Sequence, residues 1–206
     1  DRFAADFAHT LEGYGLHPEL ASAGDTGLYV HATLEGRGRA RVALVGHHDT
    51  VFPRGTVADR PFTRDATRCF GPGVADMKGG LAVAAHAARL LADGPRPFRL
   101  VELVSVPDEE SRPAAFETLD RLAGYDAVLV LECGRPAGEV VSARKGAFWF
   151  KVRALGHPAH AGVEPDLGRN AALAIAREAV RLSELHHARE GLTFQITGLT
   201  GRSEER

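Results

Sequence analysis

The chain has 206 residues, 44% of them hydrophobic and 25% charged, with 25 Lys and Arg against 27 Asp and Glu. That composition belongs to a globular protein with a core of ordinary size, in one large domain or two small ones, and excludes a disordered chain. A formal charge of -2 leaves no basic stripe for nucleic acid, and no apolar run approaches the ~20 residues of a membrane-spanning helix.

Phe3, Phe7 and Leu11 recur every fourth residue and predict an amphipathic helix that stops near Gly13 and Gly15. Leu28 to Leu34 and Val42 to Gly46 read as strands, the second apolar throughout and so expected to be buried on both faces. His47 to Ala75 has no periodicity and holds Pro53, Pro61, Pro72, Gly55, Gly71 and Gly73. A structureless loop of this length inside a domain is usually functional or disordered, and its place between two candidate ligands favours function. The Ala- and Leu-rich run from Gly79 to Ala92 is a helix stopped by Gly94 and Pro95. Phe98 to Val106 is a strand, Pro113 to Ala123 a short helix and Ala127 to Leu131 another buried strand. Strands alternating with helices imply an α/β domain built on a mainly parallel central sheet with flanking helices.

The pattern changes near residue 142. Gly146 to Leu155 alternates Phe148, Phe150 and Val152 with Lys151 and Arg153, as a strand with one wet face in a largely antiparallel sheet does. A helix from about Gly168 to Ala188 and a last strand from Leu192 to Thr197 follow. The expected division is a first unit over 1–141 and a smaller α+β unit over 142–206. An unpaired sheet edge in that second unit would favour dimerisation or aggregation. Cys69 and Cys133 are too few for a disulfide framework, and no signal pattern opens the sequence at Asp1, so a reduced, cytoplasmic location is expected.

The chemistry-bearing residues cluster just after buried strands. His47 and Asp49 follow Val42 to Gly46, Glu109 and Glu110 follow Phe98 to Val106, and Glu132 follows Ala127 to Leu131, while Asp76 precedes the Gly79 helix. In an open α/β sheet, ligands bind beyond the carboxyl ends of the parallel strands, so independent strands would deliver these side chains to one edge. One imidazole among several carboxylates suits zinc or a related divalent ion, and without a cation the gathered carboxylates would repel. The x between His47 and Asp49 puts both side chains on one side of an extended segment, so the carboxylate can hold the imidazole from behind. Glu109 and Glu110 point apart, which lets one bind metal while the other faces an attacking water. Taken alone, His47-x-Asp49 would more often be a strand-end turn, Glu109-Glu110 a solvated turn and Asp76 a helix N-cap. His48 is expected to point away from the metals. Gly71-x-Gly73 is not a dinucleotide fingerprint, and Lys78-Gly79-Gly80 lacks phosphate-loop spacing.

The segments Gly46-His-His-Asp-Thr-Val51, Gly71-Pro-Gly-Val-Ala-Asp-Met-Lys-Gly-Gly80, Asp108-Glu-Glu110 and Gly156-His-Pro-Ala-His-Ala-Gly162 occur in order. Together they resemble the dinuclear zinc peptidases that include glutamate carboxypeptidase, succinyl-diaminopimelate desuccinylase, acetylornithine deacetylase and aminoacylase. Glu164-Pro-Asp-Leu-Gly-Arg-Asn-Ala171 further resembles the glutamate carboxypeptidase branch. The resemblance implies two zinc ions, with cobalt or manganese as alternatives, bridged by Asp76. One would also take His47 and Glu132, the other Glu110. Asp49 would orient His47, and Glu109 would accept a proton from the attacking water and return it to the leaving amine. His160 matches the histidine that reaches a substrate carbonyl across a homodimer formed through the smaller domain. The last ligand of the second ion and the residue that holds a substrate carboxylate are expected in a downstream region not contained in these 206 residues. Ser111-Arg112-Pro113 replaces the small, Gly-containing turn commoner after the second glutamate. The implied function is hydrolysis of an amide bond beside a free carboxylate, on a small peptide or an N-acyl amino acid. The alternatives are an N-acyl amino acid deacylase and a metal-binding fragment without turnover.

Overall fold

The computed structural model describes residues 2–111, 121–135, 137–160 and 162–200. Two compact units divide the chain, Asp1–Val140 and Val141–Arg206.

In the first unit, helix α1 (Arg2–Gly13) buries Ala4, Phe7, Ala8 and Leu11, an i, i+3, i+4, i+7 stripe. A left-handed Gly15 (φ 82°) turns the chain into β1 (His17–Ser22), an outer strand that the sequence pattern does not signal because it is mostly exposed. β2 (Leu28–Glu35), β3 (Arg41–His47), β6 (Leu100–Val106) and β7 (Ala127–Val130) complete a five-stranded sheet in the order β1-β2-β6-β3-β7. β3 runs parallel to both β6 and β7, whereas β2 is antiparallel to β6 and to β1. All but β2 therefore point the same way, and the fold is a mixed α/β one with a mostly parallel central sheet.

Helix α3 (Gly79–Ala92) presents Leu81, Ala84, Ala85 and Ala88 to the sheet. Together with α1 it covers Leu34, Leu44, Val101 and Leu103 in one apolar core. Burying each such leucine contributes ~1.5–3 kcal/mol, which is how a helix of mostly small residues is held on the sheet. The small residues let it sit close. At Gly46 an added Cβ would lie 2.6 Å from the Met77 side chain, so glycine is what lets the buried Met77 pack beneath the end of β3.

Three expectations need correction. The segment after His47 is not structureless: it folds into a short helix α2 (Thr56–Asp59) and a hairpin of β4 (Thr63–Arg64) and β5 (Cys69–Phe70). These pieces are too short to show a period. Second, β7 is not buried. It is an edge strand, with Val128 43%, Leu129 51% and Val130 62% exposed. Its apolar run reads like a core strand, but only β3 pairs with it among the described residues. Third, no strand forms at Gly146 to Leu155 or Leu192 to Thr197 in the second unit. Alternation becomes a strand only where a neighbour accepts its hydrogen bonds, and among the described residues none does. Phe148, Trp149 and Phe150 are each at least three-quarters exposed. The second unit does hold helix α4 (Ala171–Ser183), capped by the Asn170 side chain, which accepts from the Leu173 amide at 2.8 Å. A short bridge pairs His157 with Arg169. Most of the helix expected over Pro113 to Ala123 lies outside the described residues.

Candidate metal centre

β3, β6 and β7 all end at the same edge of the sheet, and the chain delivers the candidate ligands there. His47 closes β3 and is 1% exposed. Its Nδ1 lies 3.1 Å from Asp49 Oδ1, and its Nε2 lies 2.9 Å from Asp76 Oδ1 and 3.8 Å from Glu132 Oε1. Asp76 sits in a single π-helical turn, Val74–Lys78, whose backbone leaves helical geometry at Asp76 and Met77, with a cis peptide between them. Asp76 faces the end of β3, where His47 lies.

Two sets of ligand atoms lie within 4.8 Å of one another, His47 with Asp76 and Glu132, and His47 with Glu109 and Glu110. His47 is thus common to both sets. Asp76 also stands close enough to Glu110 for its charge to help raise the Glu110 pKa.

Asp49 does more than orient the imidazole. Its Oδ1 also accepts the Glu109 amide at 3.2 Å, and its Oδ2 accepts the Glu110 amide at 2.9 Å. One carboxylate therefore ties the end of β3 to the loop after β6. The His47 bond and the Glu110 amide hold Asp49 below the usual carboxylate range, although burial pushes the other way. His48, the next residue, turns to the opposite side, as expected. Its Nδ1 lies 2.8 Å from Ser105 Oγ and its ring stacks on Phe3 at 5.3 Å. Burial lowers its pKa to about 4, which keeps it neutral.

Lys78 fits no phosphate loop, and the structure gives it another part. Its Nζ donates to the His48 carbonyl at 2.7 Å, so it links the loop of Asp76 to that of Asp49. Its position two residues after Asp76 was the available signal. Cys133, next to Glu132, donates its thiol to the Ala75 carbonyl at 3.0 Å and closes the ring on the third side.

The donor set fits a divalent cation. Burial alone would lower His47, but its bonds to Asp49 and Asp76 and the charge of Glu132 lift it to about 9. Burial raises Glu132 and Glu110 above the usual carboxylate range, and the Asp76 charge adds to both shifts. A cation among these oxygens would relieve the like-charge repulsion behind that crowding. An imidazole with several carboxylates is a donor set suited to zinc.

His160 belongs to the second unit. It is exposed, and its Nδ1 accepts the Gly162 amide at 3.2 Å.

Residues 43–198 match the family model for peptidase family M20/M25/M40. The chain belongs to that family. M20 relatives include carboxypeptidase G2 of Pseudomonas sp. (strain RS-16), 32% identical over 172 residues, which span 80% of this chain and 40% of that protein. Succinyl-diaminopimelate desuccinylase of Gluconobacter oxydans is 38% identical over 117 residues, covering 54% of this chain and 30% of that protein. The chain thus spans less than half the length of either relative. Among solved structures, a tripeptidase from Staphylococcus aureus superposes with a TM-score of 0.65 at 18% identity, over 97% of this chain and 55% of that one. An M20 family metallo-carboxypeptidase from Sulfolobus solfataricus gives 0.60 at 19%, over 91% and 45%. At such identities these two likenesses speak for the M20 fold.

Proposed function

We propose that this chain carries the metal-binding core of a zinc-dependent hydrolase that cleaves an amide bond next to a free carboxylate, in the manner of a carboxypeptidase. The observation that carries this reading is the buried His47, whose Nε2 faces Asp76 and Glu132 while Glu109 and Glu110 gather beside it. Zinc held there would supply the Lewis acid that polarises the scissile carbonyl and acidifies the attacking water.

This chain's own side chains do the rest. His47, Asp76 and Glu132 would hold one ion, and Asp76 with Glu110 would hold part of the shell of a second. Asp49 fixes the His47 ring and, through the two amides, the direction in which Glu109 and Glu110 leave the backbone. Glu109 takes the proton of the attacking water and returns it to the departing amine. His160 would donate to the carbonyl oxygen of a substrate bound by a second subunit.

The likeness to carboxypeptidase G2 supports release of a terminal amino acid such as glutamate from a small peptide. A second reading, deacylation of an N-acyl amino acid, is supported by the likeness to the desuccinylase. No helix among the described residues is long and apolar enough to cross a membrane. A cytoplasmic place fits two cysteines that are both unpaired. The exposed row of Phe148, Trp149, Phe150 and Leu155 supports a homodimer through the second unit.

Hydrolysis of an N-blocked dipeptide ending in glutamate, set beside that of N-acetylglutamate, tests the reading in zinc-loaded and chelated protein. Zinc-dependent turnover of the dipeptide supports the carboxypeptidase reading, and turnover of the acetylated amino acid alone supports the deacylase. Zinc binding without turnover of either would favour a metal-binding protein that is not a hydrolase.

A further inference from the structure

Glu102 takes no part in the metal cluster, yet among the described residues it is the one buried carboxylate, 2% exposed in the middle of β6. It lies opposite Ala43 of β3, four positions before His47, roughly 13 Å from it by the strand rise. A carboxylate so placed must be fully partnered to be tolerated. Its Oε1 accepts from Arg121 Nε at 2.8 Å, its Oε2 accepts the Tyr125 hydroxyl, and the His31 ring lies 3.4 Å from Oε1.

Two of these partners belong to the segment that leads straight into β7. Around them the attachment continues. Asp126 Oδ2 accepts the Arg41 amide at 2.7 Å, the Asp126 amide donates to the Arg41 carbonyl at 2.9 Å, and the Arg41 guanidinium stands 4.5 Å over the Tyr125 ring.

β7 needs such an attachment. A strand's register is set by the face it buries, and β7 buries little: it is four residues long, on the sheet edge, with Val128, Leu129 and Val130 all substantially exposed. A slip of one residue would turn every side chain to the other face and carry Glu132, two positions beyond the strand, out of reach of His47.

We infer that Glu102, Tyr125 and Arg121 form a register clamp that fixes β7 against β3 and thereby positions Glu132 in the metal cluster. These are positioning residues that act through Glu132, and the inference rests on the metal-centre reading above. Loss of the clamp costs zinc affinity about as much as loss of a ligand's outer partner does, 10–100-fold.

Zinc affinity of the purified protein, measured by chelator competition, tests this in wild type, Tyr125→Phe, Glu102→Gln, Glu132→Gln and the double variant Tyr125→Phe/Glu132→Gln. Tyr125→Phe removes a single hydroxyl and keeps the ring on Arg41, so it guards against a variant of Glu102 that fails to fold. Both single clamp variants should bind zinc about 10-fold or more weakly, with amide exchange accelerated selectively in 127–130. The double variant should be no weaker than Glu132→Gln alone, because the clamp is inferred to act on the metal through Glu132. Fully additive losses, or clamp variants with wild-type affinity, would overturn the inference while leaving the metal centre standing. A wild type that binds no zinc would instead remove the metal-centre reading, and the clamp with it.

Discussion

At the scale of single residues, the site divides into groups that would touch metal or substrate and groups that hold them. Glu109 is the only carboxylate of the cluster given a proton-transfer role. Glu109→Gln should therefore lower kcat by about 10²–10⁴-fold while zinc content stays at the wild-type level. A comparable loss of zinc would mean that Glu109 is a ligand instead. Asp49 behaves differently, because its two oxygens serve the His47 ring and both glutamate amides. Asp49→Asn keeps the shape but loses the charge, and should weaken zinc binding about 10–100-fold, as read by chelator competition. Glu102 offers a pH signature. Burial would raise its pKa, but the nearby His31 ring and the bonds from Tyr125 and Arg121 outweigh burial and bring it to about 2, against an ordinary 4.5. A depressed carboxylate contributes stability above 4.5 and loses it as pH falls towards 2. The thermal stability of the wild type should thus fall as pH drops across that acid window, and Glu102→Gln should flatten the dependence there. Equal slopes in the two proteins would contradict the assigned partnership.

Among the elements, α3 meets the residue just after β7 at Gly80, where an added Cβ would fall 1.8 Å from the Leu131 carbonyl. Gly80→Ala is conformationally easy in a helix, so its whole cost is steric. It should destabilise the fold by ~1–3 kcal/mol in urea unfolding and push Glu132 away from the cluster, with a parallel loss of zinc affinity. What could be read from the sequence at this scale follows from burial. α1 and α3 bury a face with a clear period, β2, β3 and β6 are largely buried, and the positions of all five in the sequence and in the structure agree closely. So do the strand-end positions of His47, Glu109, Glu110 and Glu132, because the carboxyl edge of a parallel sheet is implied by the order of elements. β1 was not legible, since an exposed strand carries no alternation, and β4 and β5 were too short. β7 misled, because an apolar run says nothing of what covers it. The grip of Asp49 on two amides and the partners of the buried Glu102 depend on contacts between residues sixty and about twenty positions apart, which no local pattern records.

On the scale of the whole molecule, the first unit gathers every ligand candidate at one sheet edge, and the second, taken by itself, carries an exposed His160 and an exposed apolar row. If that row joins two copies, light scattering should give the mass of a dimer, and replacing Trp149 with a charged residue should shift it to a monomer. A dimer that survives this change would place the contact elsewhere. The central claim is that the cluster around His47 is a metal centre. Its most direct measurement is zinc content per chain after loading and gel filtration, in wild type and in Asp76→Asn. Stoichiometric zinc is expected in the wild type and clear loss in the variant, with the circular dichroism of the two unchanged. Equal zinc in both proteins, or none in the wild type, would contradict it.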